Sequence, residues 1–145
     1  MSRDGLKLSA GADLVIGKLL RAEHETKRAM RQGWFKVGDK LIKTASKEMQ
    51  AKNKTGRIYK YKGRKHRASA AGQSAANRSG HLRKSLGYKI KGHTQLEFGA
   101  KADYAAFLEL GTYKMRPRPT LKNSIDVNEG NTATILQNEL RNALT

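Results

Sequence analysis

Four histidines and three carboxylates are the side chains that could carry acid–base or metal chemistry in this sequence, and their spacing argues against both. His24, His66, His81 and His93 are scattered. No two of them stand at the i, i+4 spacing that places two imidazoles on one helix face around a zinc ion. Glu97, Asp103 and Glu109 could in principle pair for proton transfer, but Arg116 and Arg118 follow close behind. Carboxylates beside arginines read more readily as structural or interface partners, and Arg118 with Glu109 is the first pair expected. No serine sits in a nucleophile elbow, and no G-x-x-x-x-G-K-[S/T] phosphate loop is present. The chain contains no cysteine, which removes disulfides and thiolate zinc sites. The residues thus specify no catalytic set, no cofactor and no metal centre, and the chain reads as a non-enzyme.

The remaining chemistry is electrostatic. The formal net charge is +18 over 145 residues, and it is unevenly placed. Residues 1–48 carry 11 basic and 6 acidic side chains, residues 49–92 carry 13 and none, and residues 93–145 carry 6 and 6. A segment with that balance repels itself unless it meets an acidic surface or a polyphosphate. Arg57, Lys60, Lys62, Arg64, Lys65 and Arg67 are its candidate contacts to DNA or to an acidic partner. Tyr59 and Tyr61 alternate with Lys60 and Lys62, a pattern able to stack on bases. A solvated basic arm whose tyrosines face a neighbour is the simpler reading.

The elements that must position these groups follow from periodicity. A short helix is expected from Asp13 to Leu20, then a longer one with Met30, Trp34, Val37, Leu41, Ala45 and Met49 on one apolar stripe. Gly33 and Gly38 interrupt that stripe, so a bend or close packing is expected near Trp34, itself read as a core residue. From Gly63 to Gly80 there is no apolar periodicity, which predicts a long loop. Leu82, Leu86, Tyr88 and Ile90 then share one parity of a strand, Gly92 and His93 turn, and Leu96 and Phe98 continue in a second strand.

The segment from Tyr104 to Pro119 is arranged for packing and chain reversal. Tyr104, Phe107 and Leu108 fall on one face of a helical turn. Gly111 can stop that turn with a positive φ. Arg116-Pro-Arg-Pro119 is held extended, and Pro119 suits the first position of a following helix. That last helix is expected to break around Asn128, Glu129 and Gly130 and to resume with Ile135, Leu136 and Leu140, capped by Asn131 or Thr132.

These residues resemble the head-tail joining, or minor tail component, family of tailed bacteriophages, the gene-ten-like group that includes tail-completion proteins. That family's TG-x-L-x-x-S, YA-x-x-x-E-x-GT and RP-x-L motifs have counterparts here in order. Ser79, Gly80, Leu82 and Ser85 match the first; Tyr104, Ala105, Glu109, Gly111 and Thr112 the second; Arg118, Pro119 and Leu121 the third. Thr55-Gly-Arg-Ile-Tyr59 with His66-Arg-Ala-Ser-Ala70 looks like a further family variant, so the likeness spans roughly residues 55 to 125. Thr120 stands where an aromatic is more usual, and residues 71–76 lack the family's prolines and acidic residue.

The resemblance implies a structural virion protein of the neck, made in the host cytoplasm, that joins the head connector to the tail tube. Self-association into a ring, six-membered like many tail tubes, would be its mechanism. Expected partners are the head-closure protein, the tail tube or terminator protein and, transiently, genomic DNA. A tail terminator of the same structure, or a basic nucleic-acid-binding module, is the alternative. The fold expected is α+β: one domain over residues 1–145, a small, mostly antiparallel sheet packed by a long N-terminal and a C-terminal helix, with residues 52–79 as a basic arm ordered by a neighbour. No apolar run approaches the roughly 18 residues of a membrane span. Met1-Ser-Arg-Asp-Gly is not followed by an apolar signal core, so no export is expected.

Overall fold

A computed structural model describes residues 10–145, with side chains from Leu14 onward. Its frame is a single helix, α1, from Ala10 to Gln50, about 60 Å long at the α-helical rise of about 1.5 Å per residue. The two expected N-terminal helices are therefore one, because nothing between Leu20 and Met30 breaks a helix: the intervening residues are charged, alanine, threonine or histidine. The buried stripe is Ala29, Val37, Leu41, Ala45 and Met49. Met30 and Trp34 are only half-buried, and the indole of Trp34 donates to the carbonyl of His93 at 3.1 Å.

Two short antiparallel hairpins follow. The first pairs β1 (Ile58–Tyr61) with β2 (Arg64–Arg67), Tyr59 opposite His66. The second pairs β3 (Leu86–Lys91) with β4 (Gln95–Ala100), Tyr88 opposite Phe98. Each is a sheet of its own. Between them lies one turn of helix, α2 (His81–Lys84). Leu82, Arg83 and Lys84, expected at the start of a strand, belong to α2 instead, since Gly80 begins the turn in the left-handed region with φ 81°. Leu82 consequently joins Met49, Ala75 and Ala102 in the core beneath Leu86 and Leu108.

After β4 come α3 (Ala105–Leu110) and α4 (Thr120–Leu144). The expected interruption of α4 at Asn128–Gly130 does not occur. Asn128 is buried, and its amide donates to Thr44 Oγ1 at 2.9 Å and to the Ser124 carbonyl at 2.8 Å. That tertiary bond outweighs the low helix propensity of the residue. Neither Asn131 nor Thr132 is a cap, since both lie inside the helix. Asn128 meets Thr44, Leu136 lies over Gly33, and Lys36 pairs with Glu139. The numbers run in opposite directions, so α4 lies antiparallel along the C-terminal part of α1. No described helix is long and apolar enough to cross a membrane.

The two α1 glycines mark close approach and not a bend. A β-carbon on Gly33 would stand 2.8 Å from Leu136, and one on Gly38 would stand 2.6 Å from the ring of Tyr88. The Tyr88 hydroxyl donates to Asp39 at 2.9 Å. Burial, then that bond, pushes its pKa above the usual phenol range.

These contacts make Gly38→Ala a sharp test. The added methyl must displace the Tyr88 ring, at an expected cost of about 1–3 kcal/mol in urea unfolding. Gly17, inside α1 with open space around it, should accept alanine with a gain of up to about 1 kcal/mol. Equal midpoints for the two variants would show that β3 does not rest on α1 through Gly38.

Candidate assembly surface

The Gly111 turn forms as its sequence requires. Gly111 has φ 76° and ψ 177° and ends α3, its N–H donating to the Phe107 carbonyl at 2.9 Å. A β-carbon there would lie 2.8 Å from both the Met115 carbonyl oxygen and the Pro117 ring, so position and space both demand glycine. Thr112 and Met115 exchange backbone hydrogen bonds of 2.8 and 3.2 Å, closing a tip that leaves Tyr113 93% exposed. The chain then runs back extended through Arg116 to Pro119. It is fastened by Arg118 N–H to the Leu108 carbonyl at 2.7 Å and by Gly72 N–H to the Pro117 carbonyl at 2.9 Å.

Glu109 serves a different partner from the one expected. Its carboxylate accepts from Leu121 N–H at 3.1 Å and from Lys122 N–H at 2.7 Å, two of the orphan donors at the start of α4. Pro119 is the N-cap, one residue before the helix proper, and it has no side chain able to cap. Glu109 supplies that function from α3. With the carboxylate so engaged, Arg118 makes no ion pair with it; its Nη1 reaches only Met115 Sδ at 3.6 Å. Glu97 pairs with Lys91 at 2.5 Å, while Arg116 and Asp103 are exposed. The expected clustering of these three carboxylates around the arginines therefore does not form. Thr120 is buried and accepts from Ala75 N–H at 2.9 Å.

α3 divides its apolar residues between inside and outside. Leu108 packs on the core. Tyr104, Phe107 and Leu110 are 41, 59 and 77% exposed, so of the face read as arranged for packing only Leu108 is covered. Ser85 closes α2 with its hydroxyl on the Leu82 carbonyl at 2.7 Å.

A second uncovered apolar set lies on α1. Leu14, Val15, Ile16, Leu19 and Leu20 are all exposed. They stand beyond the stretch of α1 that α4 covers, because Glu139, near the end of α4, already pairs with Lys36.

The loop expected from Gly63 to Gly80 is shorter than that: Arg64–Arg67 form β2, and residues 68–80 carry no regular secondary structure. Lys62 and Gly63 both take positive φ, 47° and 77°, the two-residue turn that matches strand twist, and Arg64–Arg67 pair as β2. Residues 68–79 are then tied to their own chain by polar bonds. Gln73 Oε1 accepts from the N–H groups of Thr55 and Ala70, Ser74 donates to Glu48 at 2.6 Å, and Asn77 N–H donates to the Met49 carbonyl at 3.0 Å. Lys54 donates to the Ser74 carbonyl at 2.8 Å; burial lowers its pKa, with Glu48 opposing. Periodicity could not detect this order, since no apolar residue repeats; the Ser, Gln and Asn side chains were its only signal.

Arg57, Lys60, Lys62, Arg64, Lys65 and Arg67 are all exposed, on the hairpin or at its base. The tyrosines are engaged within the chain: Tyr59 edge-on with His66 at 5.2 Å, and Tyr61 under Arg78 at 4.5 Å. Between this hairpin and the starts of α2 and α3 lies a cleft of about 240 Å³, which brings together Gly80, Leu82, Tyr104 and Arg118 from the sequence motifs.

Two substitutions separate the turn from the cap. Gly111→Val should cost at least about 1–3 kcal/mol through backbone strain. Glu109→Ala should cost about 1–2 kcal/mol by uncapping α4. Thermal unfolding of each checks these values; a Glu109→Ala protein melting with the parent would mean that solvent caps α4 equally well.

The family model described as "Bacteriophage HK97-gp10, putative tail-component" matches residues 16–111. The matched span runs from the exposed start of α1 to the Gly111 turn and leaves out α4. No curated protein and no solved structure gives a match. With most of its length matched, the chain belongs to the HK97-gp10-like family of phage tail components.

Proposed function

We propose that this phage tail component, a structural protein of the virion, is a ring-forming neck subunit that joins the head connector to the tail tube. The observation that carries the reading is the amount of apolar surface the folded chain leaves uncovered. Five large aliphatic side chains near the start of α1, and Tyr104, Phe107 and Leu110 on α3, are exposed together. Apolar patches of this extent on a folded protein mark interaction surfaces.

The two patches lie on different elements, so contact between them would be heterologous, one copy's α1 against the next copy's α3. Repetition of such a contact closes a ring when the rotation per subunit divides a full turn. Six copies would match the symmetry common in tail tubes. Resemblance to tail-completion proteins favours the neck over the terminator level. The basic hairpin would then meet an acidic neighbour above or below, or transiently the DNA that passes through.

Native mass spectrometry tests this directly. The parent chain is expected to form a closed oligomer, and Leu19→Glu with Leu20→Glu should return it to monomer without changing the unfolding midpoint by more than about 0.5 kcal/mol. A parent that stays monomeric at all concentrations, alone and with its virion neighbours, would end the ring reading. Salt discriminates the nucleic-acid alternative: affinity for a DNA duplex must fall steeply with added salt, whereas ring closure through apolar contacts should persist.

A further inference from the structure

The cleft between the β1–β2 hairpin and α2 carries polar groups that its own chain leaves without partners. Arg78, Arg118, His66 and His81 line it, and no aspartate or glutamate does. Arg118 Nε and Asn77 Oδ1 are both buried there without a hydrogen-bond partner. Burying such an atom without a partner destabilises the fold. Two in one cleft call for a partner from outside the chain. Their needs are opposite: the guanidinium N–H lacks an acceptor, and the amide oxygen lacks a donor.

We propose that this cleft receives a glutamate side chain on an extended acidic segment of a neighbouring protein. The side chains of Asn77 and Arg118, whose orphan atoms are buried in the free chain, turn outward to meet it, so that the carboxylate accepts from Arg118 and a backbone N–H of the same segment donates to Asn77 Oδ1. Met49, Leu82 and Leu108 also line the cleft and provide an apolar wall for the glutamate methylenes. A nucleic-acid backbone fits the site less well. A phosphodiester offers acceptors but no N–H for Asn77, and the cations that a duplex would meet first are the exposed ones on the hairpin. The uncompensated charge of the cleft selects an anion, and the orphan acceptor selects a peptide as its carrier.

The test is the ¹⁵N-labelled full chain followed by NMR, reading the Arg118 Nε–H signal. The probes are an acetylated, amidated peptide of alternating alanine and glutamate, its glutamine counterpart, inorganic phosphate and a short DNA duplex. The glutamate peptide should move the signal downfield to saturation, and the glutamine peptide should not. Arg118→Lys, which lacks that signal and is followed through the backbone amide shifts of the cleft residues, should weaken binding of the glutamate peptide at least about tenfold, because a lysine cannot present the guanidinium. Asn77→Asp places a carboxylate inside the cleft, so it should abolish peptide binding while raising the unfolding midpoint; this variant decides the matter if Arg118→Lys fails to fold. The proposal is overturned if phosphate or DNA shifts the signal as the peptide does, which would make the cleft a phosphate site. It is also overturned if the glutamine peptide binds equally, or if no shift appears up to about 10 mM peptide.

Discussion

Two gaps in the side-chain wall of α1 set the distances at which everything else packs. At Gly38 the ring of Tyr88 comes down onto the helix backbone, and at Gly33 Leu136 does the same from the opposite partner. Helices normally keep 8–10 Å between axes because side chains intervene. Removing a side chain at the contact lets β3 and α4 sit closer and bury more of themselves against a single helix. The protein needs this economy, since its buried apolar residues are few and mostly small: Ala29, Ala45, Ala75 and Ala102 beside Val37, Leu41, Met49 and Leu82.

With so small an apolar core, polar bonds carry much of the specificity. Ser69, Ser74, Thr120, Ser124 and Asn128 are all buried. Three of them have partners that stitch distant stretches together, Ser74 to Glu48, Thr120 to Ala75 and Asn128 to Thr44, while Ser124 bonds within α4 to the Thr120 carbonyl. Buried polar groups are costly unless fully bonded, so once satisfied they fix one arrangement and penalise others. Glu109 extends the same logic to a helix terminus, because it docks α4 on α3 by the backbone and not by a side chain of α4.

What could be read from the sequence divides along this line. Apolar periodicity gave the second half of α1 and the β3–β4 hairpin, and the glycine chemistry of position 111 gave the turn with its sign of φ. The motif order gave the family. The polar features were illegible to the same rules. Asn128 and Gly130 looked like a helix break because local propensity knows nothing of Thr44, some 84 residues away. Residues 63–80 looked like a loop because their order comes from side-chain amides and hydroxyls. Glu109 looked like a partner for Arg118 because opposite charges invite pairing, yet the orphan N–H groups of α4 compete for the same oxygens. Of the two exposed apolar patches, that of Tyr104 and Phe107 lay in a segment read as arranged for packing, and that of α1 in a stretch read only as a short helix.

The charge of the chain bears on the order of events in assembly. Each copy carries +18, and salt at physiological strength screens only beyond about 8 Å, so copies brought side by side do electrostatic work against one another. In the proposed ring the apolar patches would draw subunits together while the charge would hold them apart. Closure would then be easier at higher salt, where the repulsion is screened, and beside any surface whose negative charge offsets it. An acidic rim on a completed head or tail would in this way favour closure on the particle that needs it.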